Sequence, residues 1–211
     1  MLRLKIYQES AHFRMPTIGT PYLSYPLPPP STVYGFLRFI TDYRSINFEN
    51  TKLSIQGSYK GVSFEKERLI LDTKKELKTN IIPIQKLHRC EWIIHIKSPH
   101  EEDILNAINN SSKVFRLGRK EDLIIDIIGE KVEEMRFNKD ENEYNKNMKI
   151  YTNWNKENTI NGSLFRMAFD TVVNEKKEII GYKPINLIYT NVRQLSKICK
   201  IFDGEYLIEW I

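Results

Sequence analysis

Three consecutive prolines, Pro28–Pro30, constrain this chain more than any other feature of its sequence. Each proline fixes φ and lacks a backbone N–H, so the run favours a stiff polyproline II segment that cannot donate to a sheet ladder. Apolar residues from Val33 to Ile40 follow at helical spacing, and Ser31 or Thr32 is placed to cap the first turn. The sequence therefore predicts a rigid corner that leads directly into a helix.

Strand patterns lie on both sides of this corner. In "LRLKIYQ" apolar and polar residues alternate with period two, which predicts a first strand. The segment "KLSIQGSYKGVSFEKERLIL" alternates on either side of Tyr59–Gly61 and predicts two strands that meet at a glycine turn. In "EWIIHIK" the residues Trp92, Ile94 and Ile96 share one strand face, which leaves His95 on the other face in a structural role.

A second helix and a further strand follow. The segment "SPHEEDILNAINN" has Ser98 in the cap position, Pro99 in the first helical position and acidic residues in the first turn. The apolar run from Leu123 to Ile128 then predicts a buried strand. The order strand, helix, strand, strand, helix, strand predicts an α+β fold of the ferredoxin-like (RRM-like) βαββαβ type, in which both helices cover one sheet face and leave the other available.

We predict two parts in the chain. Residues 1–128 form the ferredoxin-like domain, with a β-hairpin or thumb insertion at about 72–89. Residues 129–211 form a β-rich C-terminal extension packed on the same unit, with a strand pair in "SLFRMAFDTVV" and "EIIGYKPINLIYT". The terminal "EYLIEWI" is too apolar to remain exposed, so it is expected to pack against the rest.

Charge and composition narrow the classes of function. Lys and Arg number 32 against 27 Asp and Glu, a formal charge of +5 that favours a polyanionic partner. The two cysteines lack CxxC spacing, and no apolar run is long enough for a membrane span, so we expect a cytoplasmic protein without membrane contact. The four histidines show no HxxxH or HExxH spacing and no nucleotide-binding glycine motif occurs, so we predict no metal and no cofactor.

The proline corner is the first candidate binding site. The hydroxyl groups of Ser31 and Thr32 and the free N–H groups of the first helical turn suit a phosphate. The tyrosines Tyr22, Tyr25 and Tyr34 could offer flat faces to unstacked bases. A rigid connector whose tyrosines only pack in the core is the alternative interpretation.

Two basic segments are further candidates. In "FRLGRKED" a glycine turn at Gly118 is surrounded by Arg116, Arg119 and Lys120, although a solvated basic turn is the alternative. The 72–89 insertion could lie along a sugar-phosphate backbone or could be a solvated hairpin. Its exposed isoleucines predict contact with a partner protein. The residues concerned are the basic Lys74, Lys75, Lys86, His88 and Arg89 and the apolar Ile81, Ile82 and Ile84.

Taken together, "YPLPPPSTVYGFL" after a first strand, "NIIPIQ" in the insertion and the later "RLGRKE" resemble the fifth CRISPR-associated (Cas) family of the repeat-associated RNA-binding superfamily. The resemblance spans roughly residues 1–128. It implies a subunit that caps the repeat-derived 5′ handle of crRNA in a Cascade complex and uses the 72–89 thumb to hold it. It also implies contact with the backbone subunit and the large subunit, and with target DNA only through the assembled complex.

The resemblance also implies roles for particular residues. By motif, Ser31, Thr32 and Gly35 lie beside the handle, and the "RLGRKE" loop forms a second contact edge. The full set of predicted RNA-binding residues is Tyr25, Ser31, Thr32, Gly35, Lys74, Lys75, Lys86, His88, Arg89, Arg116, Gly118, Arg119 and Lys120.

The remaining interpretations of function differ in whether the protein is an enzyme. Nuclease members of the family use a tyrosine, a lysine and a histidine, and no such trio aligns here. The shorter chain resembles type I-B subunits, in which a separate endonuclease cuts. We therefore expect a non-catalytic subunit. The alternative is a metal-independent endoribonuclease that uses His88 or His12 as general base or acid, Lys86 as electrostatic stabiliser and a tyrosine. A domain that only scaffolds other proteins is a third interpretation.

Overall fold

The computed structural model describes residues 1–16, 19–42, 44–72, 78–136, 145, 147–155, 160–174, 178–199 and 201–211. None of the helices within these ranges is long and apolar enough to cross a membrane. The elements in chain order are β1 (Leu2–Ala11), α1 (Pro30–Ile40), β2 (Lys52–Asp72), β3 (Lys78–Lys97), α2 (Glu101–Asn110), β4 (Asp126–Lys131), β5 (Met135–Arg136), β6 (Lys149–Asn153), β7 (Ser163–Val173), β8 (Ile179–Asn191), α3 (Val192–Leu195) and β9 (Ile201–Phe202).

One antiparallel sheet holds seven of the described strands, in the order β4-β1-β3-β2-β6-β8-β7. The strands β5 and β9 pair separately. The predicted α+β class is confirmed, and the first six elements follow in the predicted order. The predicted C-terminal strand pair is also confirmed, as β7 and β8. The boundary at residue 128 falls inside β4, and the division into two domains stays a prediction.

The hairpin of β2 and β3 differs from the sequence-based expectation. Strand β2 runs without a turn through Tyr59–Gly61, because β3 pairs with it both before and after residue 60. Tyr59 lies opposite Cys90, and Gly61 lies opposite His88. The prediction of a glycine turn there is therefore wrong. The predicted 72–89 insertion is the outer part of this same hairpin, and residues 73–77 lie outside the described residues.

Three element ends also differ from the predictions. Helix α1 begins at Pro30 with Pro29 as its N-cap, so neither Ser31 nor Thr32 is the cap. Helix α2 begins at Glu101 instead of residue 99, because the Ser98 hydroxyl accepts a hydrogen bond from the His100 backbone and closes a turn before the helix. Strand β4 begins at residue 126, since residues 116 and 123 pair with each other in the preceding loop.

One face of the sheet carries the main core. Alternate residues of β1 and β3 stand opposite each other on this face, Leu2 with Ile96, Leu4 with Ile94 and Ile6 with Trp92. All six are buried and belong to one apolar cluster with side chains of α1 and α2. The alternation that the sequence showed in these strands is therefore the pattern of a face covered by helices.

We expected the opposite face of the sheet to remain uncovered, and this expectation is wrong. Residues 201–211 cross it. Asp203 accepts hydrogen bonds from the buried Arg3 (2.7 Å) and His95 (2.9 Å) of β1 and β3. Further along, the Gln56 amide donates to the Leu207 carbonyl (2.6 Å), and Leu207 is fully buried. The expectation that "EYLIEWI" packs is therefore confirmed, and this packing occupies the face on which RNA-recognition modules bind RNA.

Candidate nucleic-acid interface

A cleft of about 910 Å³ opens where the segment after β1, the start of α1, the loop after α2 and the β7–β8 hairpin meet. It brings together the proline corner and the "RLGRKE" loop, the two motifs that sequence reasoning placed at one RNA-binding edge. The described lining residues are His12, Phe13, Arg14, Met15, Pro16, Tyr25, Pro29, Ser31, Thr32, Gly118, Arg119, Arg166, Met167, Ala168, Tyr182 and Pro184.

The proline corner forms one wall of the cleft. Pro29 is extended (ψ 148°) and its carbonyl accepts from the N–H of Thr32, which starts the helical ladder. Ser31 and Thr32 are half-buried, and within the described ranges neither hydroxyl has a hydrogen-bond partner. Gly35, one turn further along α1, is exposed, and a methyl group added there would meet no atom within 4 Å. Both hydroxyl groups therefore remain free to bind a ligand.

The "RLGRKE" loop is shaped by the buried carboxylate of Asp122. One oxygen accepts the backbone N–H groups of His12 (3.1 Å) and Arg119 (2.9 Å), and the other accepts the Lys86 ammonium (3.1 Å). Gly118 turns the loop at φ +111°, where an added Cβ would stand 2.9 Å from the carboxylate. Only glycine combines this backbone conformation with so close an approach.

Lys86 is buried and already paired. The side chain is 4% exposed, and its ammonium group lies between Asp122 (3.1 Å) and Glu67 (3.7 Å). This charge neutralises the carboxylate that shapes the loop, and a role for Lys86 in RNA binding stays a prediction.

Arg119 lines the cleft, but much of its charge is already paired. Its guanidinium makes two parallel hydrogen bonds to Glu67, at 2.9 and 2.6 Å, and it also contacts Glu121. The Arg119 hydrogen bond holds the pKa of Glu67 below its usual value, so the carboxylate stays ionised. This bidentate pair ties the loop to the β2–β3 hairpin.

The other predicted basic residues lie outside the cleft. Arg116 is exposed beside the Phe39 ring, 5.6 Å from its centroid, and Lys120 is exposed. His88 on β3 is bonded to Ser63 (2.7 Å), and Arg89 is exposed with φ +51°. The last two predicted lysines, Lys74 and Lys75, lie outside the described residues.

The tyrosines are placed differently from the stacking hypothesis. Tyr34 is fully buried and donates to the Thr51 carbonyl (2.8 Å), so the expectation that it offers a stacking face is wrong. Tyr25 lines the cleft but is only 5% exposed, because its ring packs edge-on against Phe165. A role for Tyr25 in RNA binding stays a prediction, and the burial leaves no free ring face for a base. Tyr22 is half-buried.

The predicted protein interface is reduced to one isoleucine. Ile81 is exposed, whereas Ile82 and Ile84 are buried. Residues 22–24 lie against this part of β3, and the Tyr22 N–H donates to the Pro83 carbonyl (2.9 Å). The sequence could not predict that Ile82 and Ile84 are buried, since their burial depends on pairing between distant segments.

Among the cleft residues that sequence reasoning missed are Arg14, Arg166 and Tyr182. All three are exposed, and neither Arg14 nor Arg166 forms an ion pair in the part of the chain that the structure describes. The described lining contains three arginines and no Asp or Glu. The cleft therefore carries a net positive charge and suits an anionic ligand.

Comparisons with known proteins agree with this fold. No family model matches the chain, and no curated protein sequence matches it. A chain of a "CRISPR RNA-guided surveillance complex" is similar in structure, with a TM-score of 0.57 and 12% identity over 92% of both chains. A crystal structure of a Cas protein (TM-score 0.41, 15% identity, 58% of each chain) is also similar. So is a cryo-EM structure of a Type III-B Cmr-beta complex bound to cognate target RNA and AMPPnP (TM-score 0.48, 12% identity, 93% of this chain and 88% of that chain). The first of these similarities shows that the chain has the fold of a CRISPR complex protein.

Proposed function

We propose that this chain is a non-catalytic crRNA-binding subunit of a type I CRISPR effector complex, of a type I-B-like kind, that caps the repeat-derived 5′ handle. The observation that carries the proposal is that Ser31, Thr32, Gly118 and Arg119, drawn from two separate motifs, line one cleft without acidic residues. The fold shared with a protein of a CRISPR surveillance complex supports it. The strand order β4-β1-β3-β2 supports a ferredoxin-like arrangement for the first six elements.

The cleft offers both kinds of contact that single-stranded RNA uses. The arginines and the two free hydroxyl groups suit phosphate oxygens, which fix the position of the strand. The apolar lining residues that are at least partly exposed, among them Met15, Ala168 and Pro184, suit bases that are turned out of a stack. Binding of this type falls as salt concentration rises.

The assembled complex supplies the remaining partners in this proposal. The apolar residues Val62, Phe64 and Ile81 are exposed on the β2–β3 hairpin, and Ile81 lies in the predicted 72–89 thumb. Their exposure supports a protein interface there, with the backbone subunit or the large subunit as the partner. Target DNA would then be met only by the complete complex.

Endonuclease activity is the second candidate function, and His12 is the observation that favours it. This histidine lines the cleft, and burial lowers its pKa, so the ring is neutral near pH 7 and able to accept a proton. His12 Nδ1 lies 2.7 Å from the Gln85 carbonyl, which leaves Nε2 as the ring nitrogen that can accept a proton. One contact supports binding without cleavage instead, since Lys86 is occupied by Asp122.

Incubation with labelled full-length repeat RNA in EDTA, read on native and denaturing gels, tests the proposal. We expect a shifted band that remains intact. A discrete cleavage product that disappears in the His12→Ala variant would replace the proposal with the endonuclease function. Absence of a shift with any RNA at low salt would support a domain that only scaffolds proteins.

A further inference from the structure

We propose that the β7–β8 hairpin forms half of the RNA site, in which Arg166 and the facing Arg14 hold backbone phosphates and Tyr182 stacks on an unpaired base. The inference rests on the proposed function and identifies residues that bind the RNA. None of the three belongs to the motifs that resemble the Cas family.

The register of the hairpin places the groups on one face. Ala168 of β7 stands opposite Pro184 of β8. Arg166 lies two residues from Ala168 and Tyr182 lies two residues from Pro184, in opposite directions along the hairpin. Alternate residues of a strand point to the same side, and all four line the cleft. The hairpin therefore presents a cation and an aromatic ring to the same space as the proline corner.

The backbone positions of both arginines are fixed by the same short segment. Residue 14 pairs with Ser24, and the Tyr25 hydroxyl donates to the Arg166 carbonyl at 3.1 Å. The Arg14 guanidinium also lies over the Tyr22 ring, 3.8 Å from its centroid. Segment 22–25 thus connects the two sides of the cleft and limits how far the arginines can move apart.

The two arginines differ from Arg119 in available charge. Arg119 is held by two hydrogen bonds to Glu67. Across the described ranges, no acidic group lies within ion-pair distance of Arg14 or Arg166. An unpaired arginine gains more from a phosphate than one whose charge is already neutralised, because no existing ion pair has to break.

Tyr182 is the cleft aromatic with an accessible ring. It is 61% exposed, whereas Tyr25 is 5% exposed and Phe13 is 2% exposed. An exposed ring beside proline and alanine side chains offers a base a flat apolar surface, and stacking of this kind tolerates any base. Tyr182 therefore takes the stacking role that the sequence suggested for Tyr22, Tyr25 and Tyr34.

The test measures the dissociation constant for a labelled 5′-handle RNA as a function of salt. We expect Arg14→Ala and Arg166→Ala each to weaken binding and to reduce the slope of log affinity against log salt by about 0.7, the value for one lost phosphate contact on a single strand. Arg136→Ala is the matched control, since Arg136 is exposed on β5 and outside the cleft. We expect its slope to equal that of the wild type.

A second series tests the ring separately from charge. We expect Tyr182→Leu to weaken binding by roughly 5- to 100-fold at unchanged salt slope, and Tyr182→Phe to bind like the wild type, because stacking needs the ring and not the hydroxyl. Thermal melting of each variant checks that it is folded.

The outcomes separate this inference from the proposed function. If the wild type binds handle RNA no better than scrambled RNA, the proposed function fails. If the wild type prefers the handle, but the arginine variants keep the wild-type slope and Tyr182→Leu keeps the wild-type affinity, the β7–β8 inference alone is overturned.

Discussion

Lys86 donates a hydrogen bond from Nζ to Oδ1 of Asp122 at 3.1 Å, and both side chains are buried. The bond joins strand β3 to the loop that carries Gly118 and Arg119. Because the other Asp122 oxygen accepts two backbone N–H groups of the cleft wall, the ion pair controls the shape of the cleft without touching a ligand.

Removing one partner of this pair is expected to destabilise the protein strongly. Lys86→Met leaves a buried carboxylate without its counter-charge, and we expect the free energy of unfolding to fall by roughly 3 to 5 kcal/mol. Urea unfolding measures the change. The double variant Lys86→Met/Asp122→Asn should be more stable than Lys86→Met alone. A loss below about 1 kcal/mol in the single variant would show that the pair does not stabilise the loop.

Gly118→Ala is expected to deform the cleft. The substitution puts a side chain at φ +111° and within 2.9 Å of the Asp122 carboxylate, so we expect a loss of roughly 1 to 3 kcal/mol in stability. Handle affinity should fall with it, because Arg119 is the next residue. Thermal unfolding and a binding titration measure the two effects, and unchanged values in both would contradict the role assigned to Gly118.

Gly35→Ala is the contrasting substitution in α1. The position is exposed and has free space, so alanine should raise the unfolding free energy by up to about 1 kcal/mol. Because Gly35 lies one turn from Ser31 on the same helix, we expect weaker handle binding despite the higher stability. A more stable variant with wild-type affinity would show that the RNA does not approach α1 at this position.

The pair of His95 and Asp203 predicts the pH dependence of stability. Burial lowers the pKa of His95 from its ordinary 6.5, and it opposes ionisation of Asp203 as well. Hydrogen bonds from His95 and from the backbone N–H groups of Tyr206 and Glu205 outweigh this and hold the pKa of Asp203 well below its usual value. Asp203 therefore stays ionised and accepts a hydrogen bond from the Nε2–H of neutral His95.

The direction in which stability changes with pH follows from the number of protons bound by the folded and unfolded states. Below about pH 6.5 the unfolded chain protonates this histidine and the folded protein does not, so the unfolding free energy falls as pH falls. Each such group contributes at most about 1.4 kcal/mol per pH unit, and His12 contributes in the same direction. Unfolding between pH 7 and pH 5 should show a shallower slope in His95→Gln than in the wild type. Equal slopes in the two proteins would show that His95 does not contribute to the pH dependence of stability.

Much of the fold was predictable because its signals are local. The alternation in "LRLKIYQ" and "EWIIHIK" marks β1 and β3, and helical spacing after the prolines marks α1. Element ends were less predictable, since Ser98 had two local hydrogen-bonding options and closes a turn instead of capping α2.

The remaining features depend on contacts between distant segments. Nothing in "DGEYLIEWI" indicates that Asp203 binds Arg3 and closes the sheet face. The sequence around Lys86 does not distinguish it from a solvated lysine. Only the fold shows that Asp122 is its partner. Arg166 and Tyr182 could not be predicted as site residues from the sequence. Their position at the cleft depends on the pairing of β2 with β6 and of β6 with β8.

The central claim is handle binding, and it is tested most directly by the dissociation constants for the repeat-derived 5′ handle and for a scrambled RNA of equal length and composition. Both are measured at the same salt concentration, because charge alone binds any RNA. The account predicts clearly tighter binding of the handle by the wild type and a smaller preference in a Ser31→Ala/Thr32→Ala variant. Equal affinity for the two RNAs in the wild type would contradict it.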